Sequence, residues 1–439
     1  MRESTATVAA LANDQMRPWL HSAEREVIAR NQYQRLHMGL RQVLSGNAFF
    51  QGKLGGLDPR AIIGPDELAH LPFTTKSELI EDQQAHEPYG TNLTLPLRDY
   101  VRFHQTSGTT GRAIAVLDTA ASWDWWADCW GDIYHAAGVG SDDVVFLAFS
   151  FGPFIGFWSA NEGAKRIGAL VVPGGGQTSA QRLRMMLRTG ATVLVCTPTY
   201  ALHLAEVARS EGIDLTASPV RVTIHAGEPG ASIPSTRARI EEAWGARAYD
   251  HIGMTEVGAY AFTCLEQENV HINEAEFIAE ILDPLTGAPV AEGERGELVL
   301  TNLGRWGWPV FRYRTRDLVV RGPARCGCGR TLLTLPGGVL GRVDDMLIVR
   351  GVNIYPSSIE AVLRRYPDVD EFRIVVLRTG ALDEVEVEVE CPEARVPEME
   401  QALRQELSLR VPVRSVAPGS LPRFELKARR VVDRRQDGN

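Results

Sequence analysis

The sequence predicts an α/β protein with a large N-terminal domain of parallel sheets, a β-rich subdomain, and a small α+β domain at the C-terminus. Short apolar runs alternate with helix-length stretches from 144 to 226, which is typical of a mainly parallel sheet. Two strand patterns follow between 276 and 301 with no helical pattern between them, and they predict the β-rich part. The pattern changes near Gly341, so we expect one domain at 1–341 and another at 342–439.

The predicted elements follow in chain order. Residues 20–50 predict a helix, after which prolines punctuate the sequence. The predicted buried strands of the N-terminal domain are 144–149, 169–173, 192–197 and 220–226, with helices at 181–189 and 199–212. The predicted elements of the C-terminal domain include a strand at 346–349, a turn at 350–356, helices at 357–366 and 397–409, and a last strand at 411–416. Valine and glutamate alternate from 385 to 390, which predicts a strand with one buried face.

Composition narrows the possible classes of function. A chain of 439 residues exceeds one ordinary core and predicts two or three domains. The net charge of −9 argues against a nucleic-acid partner, which favours a basic surface. No apolar run reaches the roughly 18 residues of a membrane helix, and residues 1–19 lack a secretory signal pattern, so we expect a cytoplasmic protein without a membrane partner. Among the 46 basic residues, lysine is rare and occurs only as Lys53, Lys76, Lys165 and Lys427.

One glycine- and hydroxyl-rich segment carries the strongest chemical signal. It runs from Thr106 to Gly111, reads Thr-Ser-Gly-Thr-Thr-Gly, and follows a strand-like stretch at 100–104. Glycine lets backbone N–H groups approach an anion, and hydroxyls add short donors, so the pattern favours a phosphate-binding loop. The spacing of a Walker loop is absent. Taken alone, the hexamer also fits a flexible polar turn.

Other segments in the chain support the phosphate-loop interpretation. In chain order they are Leu71-Pro-Phe-Thr-Thr-Lys76, Gly174-Gly-Gly-Gln-Thr178, Thr197-Pro-Thr-Tyr200, Ala226-Gly-Glu-Pro229, Gly253-Met-Thr-Glu256, Tyr313-Arg-Thr-Arg-Asp317, Gly341-Arg-Val-Asp-Asp345, Arg350-Gly-Val-Asn-Ile-Tyr-Pro356 and Leu421-Pro-Arg with Lys427 beyond. With these motifs the chain resembles the acyl-adenylate-forming superfamily, in its phenylacetate–CoA ligase branch, from about Leu71 to Arg430. The resemblance implies a mobile C-terminal lid and activation of a carboxylic acid by ATP as its acyl-AMP.

The resemblance also implies roles for individual residues. The implied nucleotide-binding residues are Thr106, Ser107, Gly108, Thr109, Thr110, Gly111, Ala226, Gly227, Glu228, Pro229, Thr255 and Asp317. Glu256 would bind Mg²⁺, a hard cation that prefers carboxylate oxygen, and Arg342 would contact ribose or phosphate. The alternative for Glu256 is a surface glutamate, and for Asp317 an ordinary ion pair with Arg314 or Arg316.

The C-terminal motifs imply a change of domain arrangement between two steps. Lys427 matches the lysine that neutralises charge during adenylation, although a solvated basic tail is the alternative. Asp344 matches the hinge, and Gly351 lies in the loop that would then face CoA. Three positions depart from the family pattern: Arg112 replaces a lysine after the phosphate loop, Ile252 replaces an aromatic residue against adenine, and Leu426 replaces a glycine before Lys427.

An aromatic-rich run from Phe149 to Trp158 occupies the stretch implied to line the acid pocket. We expect Phe151 and Phe154 to contact a ring, and His225 and His251 to meet a polar substituent. Plain core packing is the alternative for the run, and a structural role is the alternative for each histidine. The branch favours an aromatic carboxylate over a fatty acid.

The six cysteines are too few for a disulfide framework in a chain of this length. Cys326 and Cys328 form a knuckle, and Cys264 and His271 precede it, so the four can form a closed structural zinc site. Free reduced cysteines are the alternative, because C-x-C is a weaker signal than C-x-x-C.

Three hypotheses follow for function. The first is a ligase that uses ATP and Mg²⁺ to activate a small aromatic acid and transfers it to CoA. The second is the same adenylation with a carrier protein, an amine or a hydroxyl group as acceptor. The third is a nucleotide-binding regulator that has kept the fold, and the presence of Glu256, Asp317 and Lys427 argues against it. A homodimer is one arrangement open to the chain.

Overall fold

The computed structural model describes residues 20–62, 64–106, 112–150, 152–228, 230–323, 325–343, 347–349, 352–379, 382–407, 409–424 and 430–435. Its helices are α1 (Arg25–Gly46), α2 (Ala48–Lys53), α3 (Pro65–Ala69), α4 (Lys76–Ala85), α5 (Ala120–Ala136), α6 (Ile155–Arg166), α7 (Ser179–Arg188), α8 (Pro198–Ser210), α9 (Pro234–Trp244), α10 (Pro356–Leu363) and α11 (Val396–Leu407). None of the helices in these ranges is long and apolar enough to cross a bilayer.

The strands follow the same chain order. They are β1 (Tyr100–Gln105), β2 (Ala115–Thr119), β3 (Val144–Leu147), β4 (Leu170–Pro173), β5 (Val193–Cys196), β6 (Val222–His225), β7 (Arg247–Met254), β8 (Gly258–Thr263), β9 (Val270–Ile272), β10 (Phe277–Leu282), β11 (Arg295–Asn302), β12 (Tyr313–Val320), β13 (Thr334–Leu335), β14 (Gly341–Arg342), β15 (Leu347–Val349), β16 (Val352–Ile354), β17 (Phe372–Thr379), β18 (Leu382–Glu390), β19 (Val413–Val416) and β20 (Val431–Asp433). The four strands predicted between 144 and 226 are present, each trimmed at one or both ends.

An eight-stranded sheet forms the centre of the N-terminal domain, in the order β13-β9-β8-β7-β6-β5-β3-β4. Its strands from β4 to β7 run parallel, and helices α6 to α9 connect them in sequence. The strands β8, β9 and β13 extend it by antiparallel pairing. The predicted α/β fold is confirmed. The strand order reverses between β3 and β5, and ligands of such sheets bind outside the carboxyl ends of the strands near the reversal.

The predicted β-rich part is a separate antiparallel sheet in the order β10-β11-β12-β14. Its last pairing places Arg342 of β14 directly opposite Asp317 of β12. The sheet therefore brings together two residues that lie 25 positions apart in the sequence. The predicted domain division falls inside β14, and its position stays a prediction.

The C-terminal domain has its own sheet, in the order β19-β18-β17-β20, and its own apolar core. Strands β17 and β18 are antiparallel, whereas β19 and β20 add in parallel to the outer edges. Helices α10 and α11 contribute Ile359 and Met399 to the core. The predicted α+β domain is confirmed, with β16 and β20 as strands that the sequence pattern does not predict; β16 lies within the segment predicted as a turn, 350–356.

The valine–glutamate alternation of β18 predicts the buried residues of this strand only in part. Val387 is fully buried as expected, but Glu388 and Glu390 are also buried, each 1% exposed. Arg373 pairs with Glu388, and Arg423 forms two hydrogen bonds to Glu390. A buried carboxylate is tolerated when cations and hydrogen bonds satisfy it. The predicted single buried face is therefore wrong over the second half of the strand.

Helix α6 packs closely against α5 through a glycine. A Cβ atom on Gly163 would lie 2.2 Å from the Cβ of Trp130, whereas one on Gly156, in the same helix, would meet no heavy atom within 4 Å. We expect Gly163→Ala to destabilise the protein by about 1–3 kcal/mol through overpacking. Gly156→Ala, the matched control, should leave the melting temperature unchanged or raise it slightly. Thermal unfolding measures both, and equal melting of Gly163→Ala and wild type would contradict this packing.

Candidate active site

The carboxyl ends of the parallel strands bring the sequence motifs to one edge of the central sheet. Strands β5, β6 and β7 are in register there, with Cys196 opposite His225 and His225 opposite Asp250. The segments 197–200, 226–229 and 253–256 follow or close these three strands. Because parallel strands end at the same edge, motifs far apart in the sequence become neighbours.

The predicted phosphate loop lies between β1 and β2, which pair antiparallel. Thr106 closes the base of the loop, because its backbone N–H donates to the carbonyl of Ile114 at 3.0 Å and its hydroxyl accepts from the N–H of Ile114 at 3.0 Å. Arg112 forms an exposed ion pair with Glu87. The remaining predicted loop residues, Ser107, Gly108, Thr109, Thr110 and Gly111, lie outside the described residues.

Glu256, the predicted Mg²⁺ ligand, is 6% exposed at the end of the segment that closes β7. Its Oε1 lies 3.1 Å from Nζ of Lys76 and accepts a 3.4 Å hydrogen bond from the hydroxyl of Tyr313. Burial, and next the charge of Glu256, raises the pKa of Tyr313, so its hydroxyl remains a donor. Such a buried, paired carboxylate differs from an exposed surface glutamate. It offers the hard oxygen that Mg²⁺ prefers, with further ligands to come from phosphate.

Lys76 has no predicted role in the sequence, yet it contributes the cation next to Glu256. It begins helix α4 behind a capping box formed by Thr75 and Glu78, which fixes the start of the helix. Its ammonium pairs with the carboxylate of Glu256, and a bound metal ion would compete with it for that carboxylate. The scarcity of lysine in this chain is the signal that could have identified it.

Arg305 fixes the backbone beside Glu256. Its guanidinium forms two 2.6 Å hydrogen bonds with the carboxylate of Asp118 in β2, and its Nη1 donates to the carbonyl of Thr255 at 2.6 Å. Both charged side chains are 0% exposed. A buried ion pair of this kind requires good geometry and further hydrogen bonds, which the Thr255 carbonyl supplies in part. One arginine thus joins the strand after the phosphate loop to the predicted metal ligand.

Asp317 lies in β12 and is 6% exposed. Tyr260 donates a 3.2 Å hydrogen bond to its Oδ2, and Nη1 of Arg342 lies 3.8 Å from its Oδ1. Arg314 pairs with Glu297 instead, so the described ion pair of Asp317 comes from Arg342. The carboxylate remains a short acceptor of the kind that a ribose diol requires.

The predicted adenine segment turns at Gly227, whose φ of +94° favours glycine over other residues. Next to it, the carboxylate of Glu228 accepts a 3.0 Å hydrogen bond from the backbone N–H of Thr199. Ala226 is half-buried, and Pro229 lies outside the described residues. The segment is therefore tied to the start of α8, which begins at the neighbouring strand end.

The two histidines predicted for the acid pocket differ in their surroundings. His225 is fully buried, and its Nε2 and Nδ1 lie 2.8 Å from the Thr223 hydroxyl and 3.3 Å from the Cys196 carbonyl. These contacts favour the structural alternative for His225. His251 lies against Trp130 with ring centroids 4.4 Å apart.

Only one ring nitrogen of His251 has a hydrogen bond within the described part of the chain. Its Nδ1 lies 3.3 Å from the carbonyl of Ala261. Burial lowers the pKa of His251 to about 4, so the ring is neutral at pH 7. Phe154 is half-buried at the start of α6, and Phe151 lies outside the described residues. The pocket roles of these residues stay predictions.

The predicted hinge Asp344 and the predicted adenylation lysine Lys427 also lie outside the described residues. The residues that precede and follow the lysine segment are described. Arg423 and Arg430 both contact the N-terminal domain, through Glu206 and Thr199 respectively.

The four predicted zinc ligands come together away from the sheet edge. Cys264 follows β8, His271 lies in β9, and Cys326 and Cys328 lie in a short turn. Their ligand atoms all lie within 4.8 Å of one another. Sγ of Cys264 and Sγ of Cys326 are 3.9 Å apart, and Sγ of Cys328 is 3.6 Å from Nε2 of His271. A tetrahedron with Zn–S bonds of about 2.3 Å has sulfur–sulfur edges of about 3.8 Å, so the group fits zinc.

The electrostatics of the cluster are compatible with this fit. Burial, and next the charge of Arg330, lowers the pKa of His271 to about 4, which leaves the imidazole neutral as a ligand must be. Burial opposes the ionisation of Cys328, but the donors of Arg330 outweigh it and lower the pKa of that thiol. All four ligand positions are protein side chains, which is typical of a structural site.

Comparison with known proteins assigns the chain to a family. The AMP-binding enzyme family matches residues 62–304, and the AMP-binding enzyme C-terminal domain matches residues 351–435. The chain belongs to the AMP-binding enzyme family. The phenylacetate-coenzyme A ligase of Thermus thermophilus is 32% identical to this AMP-binding enzyme over 449 residues, which cover 95% of this chain and 99% of that protein. The Escherichia coli (strain K12) enzyme of the same name is 33% identical over 444 residues, covering 97% and 99%.

Solved structures of 2-hydroxyisobutyryl-CoA ligase resemble this AMP-binding enzyme in fold. The structure in the postadenylation state, in complex with R3-HIB-AMP, has a TM-score of 0.90 at 31% identity and covers 96% of this chain and 92% of that chain. The structure in the thioesterification state has a TM-score of 0.73 at 32% identity, with coverage of 95% and 92%. The arrangement of domains in this AMP-binding enzyme is therefore more similar to the postadenylation structure than to the thioesterification structure.

The ligand geometry predicts about one zinc ion per chain, held by Cys264, His271, Cys326 and Cys328. Elemental analysis of the purified protein should find it, and Cys328→Ser should lose most of it. Cys391→Ser, which changes a cysteine of the C-terminal domain far from the cluster in sequence, is the control and should retain it. A protein without zinc in which all four side chains react with thiol and imidazole reagents would contradict the prediction.

Proposed function

We propose that this chain activates a small aromatic carboxylic acid with ATP, releases pyrophosphate, and transfers the acyl group from acyl-AMP to CoA. The observation that carries the proposal is that Tyr313, in the same strand as Asp317, donates to Glu256, in a family whose relatives at 32–33% identity are CoA ligases. The enzyme is then an AMP-forming acid–thiol ligase.

The reaction brings two anions together, because a carboxylate oxygen attacks the α-phosphorus of ATP. Catalysis therefore depends on charge neutralisation and positioning. Glu256 would hold Mg²⁺, which supplies positive charge to the phosphates when bound. Lys76, 3.1 Å from Glu256, is a second cation at the same place, and Tyr313 adds a hydroxyl donor. Lys427 would act on the carboxylate and the α-phosphate from the C-terminal domain.

Recognition of the nucleoside would depend on the paired strands β12 and β14. Asp317 accepts hydrogen bonds from the ribose hydroxyls, and Arg342, directly across from it in β14, contacts ribose or phosphate. Gly227 and Glu228 bring the turn after β6 against the adenine. Because Asp317 is held by Tyr260, its carboxylate is oriented before the nucleotide arrives.

An aromatic substrate is supported by the relatives and by the adjacent rings of Trp130 and His251, which is in β7. Phe154, at the start of α6, would add a third ring. A neutral His251 whose Nδ1–H donates to the Ala261 carbonyl can accept one hydrogen bond at Nε2 from a polar ring substituent without introducing charge.

The second step would follow rotation of the C-terminal domain about Asp344, which brings the loop containing Gly351 toward CoA. A carrier protein as acceptor, a homodimer and a cytoplasmic location stay predictions.

A panel of carboxylic acids, read out by pyrophosphate release and by thioester formation with CoA, tests the proposed function. Arylacetates and benzoates should support both steps more strongly than fatty acids.

Glu256→Gln should reduce pyrophosphate release by about 10²- to 10³-fold while leaving the fold intact, as the loss of an electrostatic contact in a transition state does. Glu242→Gln, on the exposed face of α9, is the matched control and should be mild. Absence of acid-dependent pyrophosphate release would refute the ligase, and near-normal turnover of Glu256→Gln would refute the role of that residue.

Lys427 should separate the two half-reactions. Lys427→Ala should slow pyrophosphate exchange by about 10²- to 10³-fold, but spare thioester formation from synthetic acyl-AMP, because the lysine acts only in the adenylating arrangement. Lys427→Arg should rescue poorly, since a planar guanidinium does not replace a compact ammonium. Arg429→Ala serves as the control and should be mild. If both half-reactions of Lys427→Ala fall equally, or if neither falls, Lys427 is not the adenylation lysine.

A further inference from the structure

Two arginines of the C-terminal domain contact the same helix of the N-terminal domain. Nη2 of Arg430 donates a 3.0 Å hydrogen bond to the hydroxyl of Thr199, near the start of α8. Nε of Arg423 lies 3.6 Å from the carboxylate of Glu206, further along the same helix. In the sequence, Arg423 and Arg430 lie on either side of Lys427.

Arg430 is held firmly by its own domain. It is 8% exposed, its Nε donates to Glu371 at 2.6 Å, and its Nη1 donates to Glu360 at 3.2 Å. Its guanidinium also lies over the ring of Phe372, 4.9 Å from the centroid. These partners fix the side chain of Arg430. The C-terminal domain therefore determines the position of the Nη2 group that donates to Thr199.

Arg423 is anchored in the same manner but makes a weaker contact across the interface. Two hydrogen bonds, of 3.0 and 2.8 Å, join it to the buried carboxylate of Glu390. Its partner on α8, Glu206, is 31% exposed, so solvent screens that ion pair. The contact between Arg430 and Thr199 is therefore the stronger of the two.

Thr199 also connects the interface to the predicted adenine segment. Its hydroxyl accepts from Arg430, while its backbone N–H donates to the carboxylate of Glu228. The charge of Glu228 also acts on Arg430 and on Arg364 of the C-terminal domain. Thr199 thus contacts the C-terminal domain through its hydroxyl and the segment after β6 through its backbone N–H.

The interface is not optimised for permanent contact. Arg239 of α9 has a buried Nη1 without a hydrogen-bond partner in the described ranges. Burial, and next the charge of Arg364 across the interface, lowers the pKa of Arg239 to about 10. The buried Nη1 without a partner and the charge of Arg364 oppose docking, whereas Asp370 and Glu371 of the C-terminal domain attract Arg239; this balance suits a contact that must open.

We propose that Thr199 and Arg430 form a latch, assisted by Arg423 and Glu206, that holds the C-terminal domain in the adenylating arrangement. The latch rests on the proposed function. Arg430 and Thr199 are positioning residues that act through Lys427, because they fix the domain and the ends of the segment that carries the lysine. Removing the latch shifts the population toward the arrangement of the second step and leaves the chemistry of that step unchanged.

Thr199→Val tests the latch, because it removes the hydroxyl and retains the backbone N–H and nearly the same volume. Pyrophosphate exchange should slow about tenfold, as expected for loss of a hydrogen bond to a charged group. Thioester formation from synthetic acyl-AMP and CoA should be unchanged or faster. Thr199→Ser, which restores a hydroxyl, should recover most of the exchange rate. Thr189→Val is the matched control and should change neither step, because the hydroxyl of Thr189 donates to the carbonyls of Met185 and Met186 in the last turn of α7.

The outcomes separate the latch from the proposed function. A wild-type protein that performs neither half-reaction refutes the ligase itself, and the latch with it. If the wild type performs both, an equal loss of the two half-reactions in Thr199→Val, or no loss of exchange, overturns the latch alone. A loss in Thr199→Ser as large as in Thr199→Val assigns the effect to packing and also overturns it.

Discussion

The buried ion pair between Arg305 and Asp118 is the interaction on which the candidate site depends. Through Arg305 it ties β2, the strand after the predicted phosphate loop, to the carbonyl of Thr255, which precedes Glu256. Arg305 also lies between the rings of Trp126 and Trp308, which exclude water from the pair. In such surroundings neither charge can be removed singly without leaving the other unpaired in the core. The position of β2 relative to Thr255, the residue before Glu256, is therefore set by the fold itself.

The fold could be predicted from the sequence because its signals are local. Alternating apolar runs and helices specify a parallel sheet, and the carboxyl-end rule then gathers the motifs at one edge. Glu256 and Asp317 could also be predicted from the sequence, because each lies in a motif. Arg305 could not, because its partner is 187 positions away in the sequence and no periodicity connects them. Lys76 lies inside a matched segment, but only the folded chain places it beside Glu256.

Side-chain environment is what the sequence could not decide. His225 has the same local pattern as a pocket residue, but its ring nitrogens contact Thr223 in its own strand and Cys196 in the neighbouring strand. The alternating glutamates of β18 predict an exposed face, but arginines from β17 and from the segment after β19 cover half of it. In both places the burial of a side chain depends on residues that the local pattern does not include.

The scarcity of lysine has a consequence for an enzyme that makes acyl-AMP. An acyl phosphate anhydride acylates free amines, whereas guanidinium groups stay protonated and do not react. Each of the three lysines in the described ranges has a carboxylate partner, namely Glu78, Glu256 and Glu162 for Lys53, Lys76 and Lys165. With four lysines among its 46 basic residues, the chain offers few amines to a reactive acyl-AMP.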